Sequence, residues 1–457
     1  MHRLPTHPKH HEGVSSRALG KHGDYESSQS YLDSLLNYVW PSYGQSSYKL
    51  ADMTNLYNLS YLGEIYVGTA SQSFLVIWDT GSGSFLCRST YCDGCPSATR
   101  KFNYASSTTW VKQSPQTEKT VTYMDGTQLK GYYGTDRVCP TSSDNSCADN
   151  FKFTAIHTAT GLRDYEDGII GLWSGNTLNS LYDDATMFMP KMTADSTITQ
   201  KVFSWYMTGQ SGKSYIDFGA PNTAVYSSPS SLFWIDILSD DYWWTNRVTG
   251  VRWSSGVPDT STEYKYSSKK GLTDTGSSCL IGPKAEVDYF KNTILNTISG
   301  VTSHSGWGTQ FDCSDANIAT LPTFELLFGG YWFEVKPEDY IIEFNSSTKK
   351  CSVCFSGYST IDYWILGDAF MRGLYSIHDY DNLRMGFVPF VGSTKKVPVK
   401  ATTTPTTTPP VVALNLDTSI FGLTVGEFLI IAVLVVIIVG IVVLLFLFCY
   451  AQLALTQ

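Results

Sequence analysis

Asp79-Thr80-Gly81-Ser82 and Asp274-Thr275-Gly276-Ser277 are the same tetrapeptide, met once in each half of the 457-residue chain. From average residue usage, an Asp-Thr-Gly triplet arises by chance roughly once in 5,000 positions. Each copy is followed at similar distance by an apolar-apolar-Gly triplet, Ile169-Ile170-Gly171 and then Ile365-Leu366-Gly367. The spacing from Asp to that Gly is 92 residues in the first half and 93 in the second. A pair of Asx-turns would explain one copy, not the duplicated context. The duplication reads as two similar lobes related by an approximate two-fold axis, which brings the two Asp loops face to face.

Around these loops, from Leu56 to about Val391, the texture is all-β. Short apolar runs such as Phe74 to Trp78, Val202 to Met207 and Tyr215 to Phe218 are broken by Gly, Ser, Asn and Asp. Helical stretches are few, with Glu286 to Ile298 and Asp368 to Gly373 the best candidates. The lobes are placed at 51–222 and 223–392. Composition agrees: 42% apolar, 14% aromatic and only 16% charged residues suit a well-buried fold and exclude a disordered chain. A net charge of -9 argues against nucleic acid and anionic lipid headgroups as partners.

Two carboxylates at hydrogen-bonding distance cannot both ionise cheaply, so they share a proton over a wide pH range. One then serves as general base toward a water held between them, the other as general acid toward a carbonyl. Peptide hydrolysis on this plan needs no covalent intermediate, metal or cofactor. Asp79 and Asp274 are the candidate catalytic residues. Gly81 and Gly276 allow close backbone approach, Thr80 and Thr275 offer hydroxyls to tie one loop to the other, and Ser82 and Ser277 can hold the outer carboxylate oxygens.

With these loops the region resembles the pepsin family of aspartic proteases. Tyr61-Leu-Gly-Glu-Ile-Tyr-Val-Gly68 is similar to that family's first mature strands. Val121-Thr-Tyr-Met-Asp-Gly-Thr127 resembles its flap, the hairpin that closes over bound peptide, with Tyr123 as the flap tyrosine and Asp125, Gly126 and Thr127 completing the tip. Asp167-Gly-Ile-Ile-Gly-Leu172, Phe311-Asp-Cys313 and Trp364-Ile-Leu-Gly-Asp-Ala-Phe370 match further, as does the run through Tyr375 and Asp379 to Gly386-Phe387. The likeness covers about residues 55 to 391. It implies a bilobal pepsin-like fold, endopeptidase activity favoured by acid, apolar residues at the scissile bond, polypeptide substrates and pepstatin-like inhibitors. Three positions depart from the pattern. Leu86 stands where many members have a tryptophan that hydrogen-bonds the flap tyrosine, Met124 replaces the usual flap glycine, and Thr273 replaces an aliphatic residue. A catalytically silent, membrane-tethered peptide-binding protein is the alternative, and retention of both aspartates argues against it.

Ten cysteines are present, of which Cys449 lies in a terminal apolar segment. The other nine (Cys87, Cys92, Cys95, Cys139, Cys147, Cys279, Cys313, Cys351 and Cys354) fall in short-range clusters expected of disulfide loops in an oxidising compartment. Zinc at Cys92/Cys95 or Cys351/Cys354 is the rival reading; Pro96, the Ser/Thr-rich surroundings and the lack of a nearby His count against it. The family resemblance implies that Cys92 pairs with Cys87 or Cys95, and Cys313 with Cys351 or Cys354. Cys139 and Cys147 are paired on proximity alone, Cys279 has no assigned partner, and an odd count leaves at least one thiol unpaired within the chain. The sequons at Asn58 and Asn345 are candidate glycosylation sites compatible with a lumenal or extracellular location.

Residues 1–50 are polar and hold five of the eight histidines, as expected of a solvated tail or pro-segment remnant. Lys49 is the candidate lysine for reaching the carboxylates. No signal peptide can be read, and the expectation is that the true start lies upstream. Residues 393–424 form a Thr/Pro-rich stalk, 425–450 a transmembrane helix and 451–457 a short tail. The helix rests on Phe428 to Phe448, 21 residues without a charge. A cleaved lipid-anchor signal is the rival. The location expected is therefore a single-pass membrane protein, vacuolar, lysosomal or at the cell surface.

Overall fold

The computed structural model describes residues 48–401 apart from 57–59, 70, 96–99, 143–146, 176–186, 196–197, 210–211, 240, 242, 255–261, 296–301, 305–307, 314–317, 319–320 and 346–349, together with 419–420 and 423–424. Residues 1–407 make one compact unit and 408–457 another. Within the second unit the described residues form only the two-residue strands Ser419–Ile420 and Leu423–Thr424, paired antiparallel.

The internal duplication is visible in strand register. The apolar run ending in the first Asp, Gln72–Asp79, lies parallel to Gly168–Gly171, with Asp79 opposite Gly171. In the second half Thr262–Thr273 lies parallel to Tyr363–Leu366, with Thr273 opposite Leu366. The strand after each Asp loop then runs antiparallel to the same partner: Phe85–Asp93 on Gly168–Gly171, and Leu280–Pro283 on Tyr363–Leu366. These strands are buried on both faces, which is why they read as near-continuous apolar runs and not as alternating ones. Val76, Trp78, Ile170, Ile281 and Ile365 are all fully enclosed.

Most of the first half, with a hairpin from the end of the second, forms a 14-stranded sheet, and the core of the second half an eight-stranded one. The lobes are not closed at the sequence boundary. Leu374–Asp379 and Arg384–Pro389, late in the chain, join the first-half sheet through Val202–Tyr206. Tyr48–Leu56 enters the same sheet between Ser214–Gly219 and Ser60–Val67, and it carries Lys49 opposite Phe218. Helices appear at Lys284–Leu295 and Asp368–Met371, near where the pattern placed them. Two more, Phe188–Ala194 and the single turn Pro337–Tyr340, went unread, the first because Pro190 interrupts its short apolar run.

The disulfides correct two readings. Cys92 pairs with Cys95, Cys139 with Cys147, Cys313 with Cys351, and Cys279 with Cys354. Cys87, offered as a disulfide candidate, is a buried free thiol. It sits mid-strand between Gly168 and Ala155, facing the core, whereas Cys92 lies at the strand end beside the Gly94 turn that brings Cys95 back. Burial, reinforced by the neighbouring Asp167, pushes the Cys87 thiol well above its ordinary pKa. Cys279 finds its partner 75 residues away through sheet pairing, which local spacing cannot foretell. The Cys351-x-x-Cys354 spacing therefore serves two separate bonds.

Residues 393–401, assigned to the stalk on composition, lie against the second lobe. Lys395 is buried, donating to the Phe370 carbonyl at 2.9 Å and pairing with Asp339 at 3.3 Å. Val399–Lys400 adds an edge strand to Tyr331–Val335. Of the remaining stalk, 402–418 and 421–422 fall outside the described residues, as do the N-terminal tail to residue 47, Asn58 and the Phe428 to Phe448 segment; Asn345 closes the strand Ile341–Asn345. Among the described residues no helix is long and apolar enough to cross a membrane.

Candidate active site

The two Asp loops meet as a nearly symmetric pair. Asp79 accepts from the Gly81 amide at 2.8 Å and the Ser82 hydroxyl at 2.6 Å. Asp274 accepts from the Gly276 amide at 2.9 Å and the Ser277 hydroxyl at 2.8 Å. Each carboxylate is thus held in plane by its own loop, on one oxygen by backbone and on the other by a hydroxyl. Thr80 and Thr275 cross between the loops. The Thr80 amide donates to Thr275 Oγ1 and the Thr275 amide to Thr80 Oγ1, both at 3.0 Å. Their hydroxyls continue to the carbonyls of Thr273 and Trp78 at 2.8 and 2.5 Å. A Cβ at Gly81 would lie 2.5 Å from Asp274 Oδ1, and one at Gly276 would meet Asp79 Oδ1, so neither loop tolerates a side chain there. Thr273 is accommodated because its hydroxyl rests on Met385 Sδ at 3.5 Å.

Electrostatics follows from this closeness. Asp274 is fully enclosed and Asp79 is 3% exposed. Burial, then the charge and hydrogen bond of Asp79, push Asp274 well above the usual carboxylate range, against the Ser277 hydroxyl. Among the described residues no cluster of His, Cys, Asp and Glu is arranged to hold a metal ion. The pair can hold one proton, orient a water and deliver a proton to a carbonyl oxygen.

The flap residues fold as a tight hairpin tip between the paired strands Glu118–Thr122 and Gln128–Cys139. The Tyr123 amide donates to the Thr127 carbonyl, Asp125 Oδ1 accepts from the Thr127 amide, and Gly126 takes φ of 85°. Such a turn demands glycine at that point. Tyr123 is buried among Leu62, Ile77, Leu86 and Val121 on the first lobe, so Leu86 gives it an apolar seat.

Sequence reading missed four contributors. The Trp243 indole N–H donates to the Gly81 carbonyl at 3.0 Å and that of Trp244 to the Leu172 carbonyl at 2.7 Å, sewing a second-half loop onto the first Asp loop. Asp368, at the start of the helix behind Asp274, donates its amide to the Ser277 carbonyl at 2.8 Å. Burial raises its carboxyl well above the usual range, opposed by Arg372 and aided by Asp274 and Asp79. Comparing the repeats could have flagged it, since the first half has Leu172 after its Gly and the second has Asp368. The fourth is Trp173, packed against Gly83 so closely that a Cβ there would meet the indole. Gly83→Ala is expected to lower stability by about 1–3 kcal/mol through overpacking. Thermal melts check this, and an unchanged melting temperature would mean that Trp173 can retreat.

The sequence comparisons cover this whole arrangement. The family model for eukaryotic aspartyl protease matches residues 60–390. Gastricsin of Mus musculus is 29% identical over 374 residues, spanning 75% of this chain and 86% of its own. Gastricsin of Oryctolagus cuniculus is 31% identical over 344 residues, 72% of this chain and 81% of its own. Pepsin A of Gallus gallus is 30% identical over 350 residues, 74% and 86%. The matched span takes in both Asp loops, the flap hairpin and the crossed strands behind them, and the chain belongs to the eukaryotic aspartyl protease family.

Proposed function

We propose that this chain is an acid-favoured aspartic endopeptidase with Asp79 and Asp274 as its catalytic pair. The observation that carries the reading is the threonine-locked meeting of two buried carboxyls, one of them pushed strongly toward its protonated form. Asp79 takes a proton from the bound water as its oxygen attacks the peptide carbon, and Asp274 protonates the carbonyl oxygen. Return of a proton to the amide nitrogen then releases the amine as the C–N bond breaks. Preference for apolar residues at the scissile bond is supported by the half-buried Trp243, Tyr358, Ile361 and Tyr363 on the lobe that faces the flap.

A membrane tether belongs to the same reading. It rests on the uncharged run Phe428 to Phe448 and the Thr/Pro-rich stretch before it, and it puts the protease unit in a lumen or outside the cell. The full chain in detergent should cleave a quenched fluorogenic peptide faster at pH 4 than at pH 7, and pepstatin should block it. A folded sample with no pepstatin-sensitive turnover anywhere from pH 3 to 7 would overturn the endopeptidase reading.

A further inference from the structure

The flap tip makes contacts in two directions. Tyr123 and Met124 are adjacent residues beside the end of a strand, where neighbouring side chains point to opposite faces. Tyr123 goes into the first-lobe cluster with Leu86. Met124, half-buried, packs against the second-lobe cluster of Leu272, Cys279, Ile281 and Ile365, whose first two members flank the Asp274 loop. Asp125 lies near enough to Tyr358 on that lobe to help burial raise the phenol. The hairpin tip therefore packs against both lobes.

We propose that Met124 is a latch: its side chain occupies apolar surface of the second lobe, and a peptide binds only by displacing it. Two departures from the family pattern then act together, since Leu86 seats the tyrosine apolarly while Met124 closes the far side. The proposal rests on the endopeptidase reading for its kinetic consequence alone. A latch of this kind leaves chemistry untouched and reduces apparent affinity by the fraction of time the flap is closed. A half-buried Met contact corresponds to roughly a tenfold effect.

The test compares wild type, Met124→Ala and Met124→Leu in the full chain. Met124→Ala should lower KM for an apolar fluorogenic peptide about tenfold with kcat unchanged, and Met124→Leu should restore the wild-type KM. In an Asp79→Asn background, amide hydrogen exchange across 121–127 should speed up about tenfold with Met124→Ala and not with Met124→Leu. A raised KM in Met124→Ala would make Met124 a substrate contact and overturn the latch, as would unchanged flap exchange. Absence of turnover in every variant would count against the endopeptidase reading, and the exchange arm would still decide the latch.

Discussion

Asp79→Asn and Asp274→Asn should each reduce peptide hydrolysis by roughly 10³-fold or more while leaving the fold intact. General acid–base groups contribute about 10²–10⁴-fold each, and here both act on a single water, so losing either disables the pair. Asparagine keeps the volume and one acceptor oxygen, so the Gly81 or Gly276 amide bond can persist. What it cannot do is hold or exchange the shared proton. The check is kcat/KM on a fluorogenic peptide, with melting temperature as the control for folding. Retained turnover in both variants, with wild-type melting, would remove these residues from the mechanism.

The second large effect is on stability against pH. Asp217 is fully enclosed between strands, and burial pushes its carboxyl up to about 7, partly offset by the Tyr375 hydroxyl that donates to it at 2.6 Å. A raised carboxyl keeps in the folded state a proton that the unfolded chain has lost. Its contribution is therefore fully present below about pH 4 and is lost as pH rises through about 7, amounting to roughly 4 kcal/mol. Asp167, pushed up to about 6 mainly by burial, and Asp274 and Asp368, both raised well above the ordinary range, act in the same direction.

His378 opposes them. Enclosed between Phe203 and Trp244, it is driven down to about 3 by burial, so its contribution fades as pH falls from about 6.5 toward that value. Four carboxyls outweigh one imidazole. The melting temperature should therefore be higher near pH 5 than at pH 7. Asp217→Asn should gain roughly 2–4 kcal/mol over wild type at pH 7 and little at pH 4. An equal difference at both pH values would mean that Asp217 is ionised in the fold.

Much of this site was legible in the sequence because the chemistry uses short, local, duplicated segments. Asp, Thr, Gly and Ser in each loop took the partners their types suggested, and the matched Gly triplets fell at corresponding places of the two halves, each in or next to the strand parallel to the one leading to the Asp. The long-range disulfide was not legible, nor was the free Cys87, because both depend on which face of a buried strand a sulfur occupies. The interlobe contacts of Trp243 and Trp244 were equally hidden: an indole N–H reads as core until a carbonyl from the other half of the chain is seen beside it.

By itself the sequence determined two lobes, an all-β texture and a carboxyl pair, since local residue types and their repetition dictate turns, strands and loop chemistry; the flap came from the family resemblance. Only the tertiary structure decided that Asp274 is strongly shifted toward its protonated form, that Cys279 reaches Cys354, and that Met124 of the flap packs against the second-lobe cluster. Each of these depends on desolvation or contact between segments many residues apart, and neither quantity exists until the chain has closed.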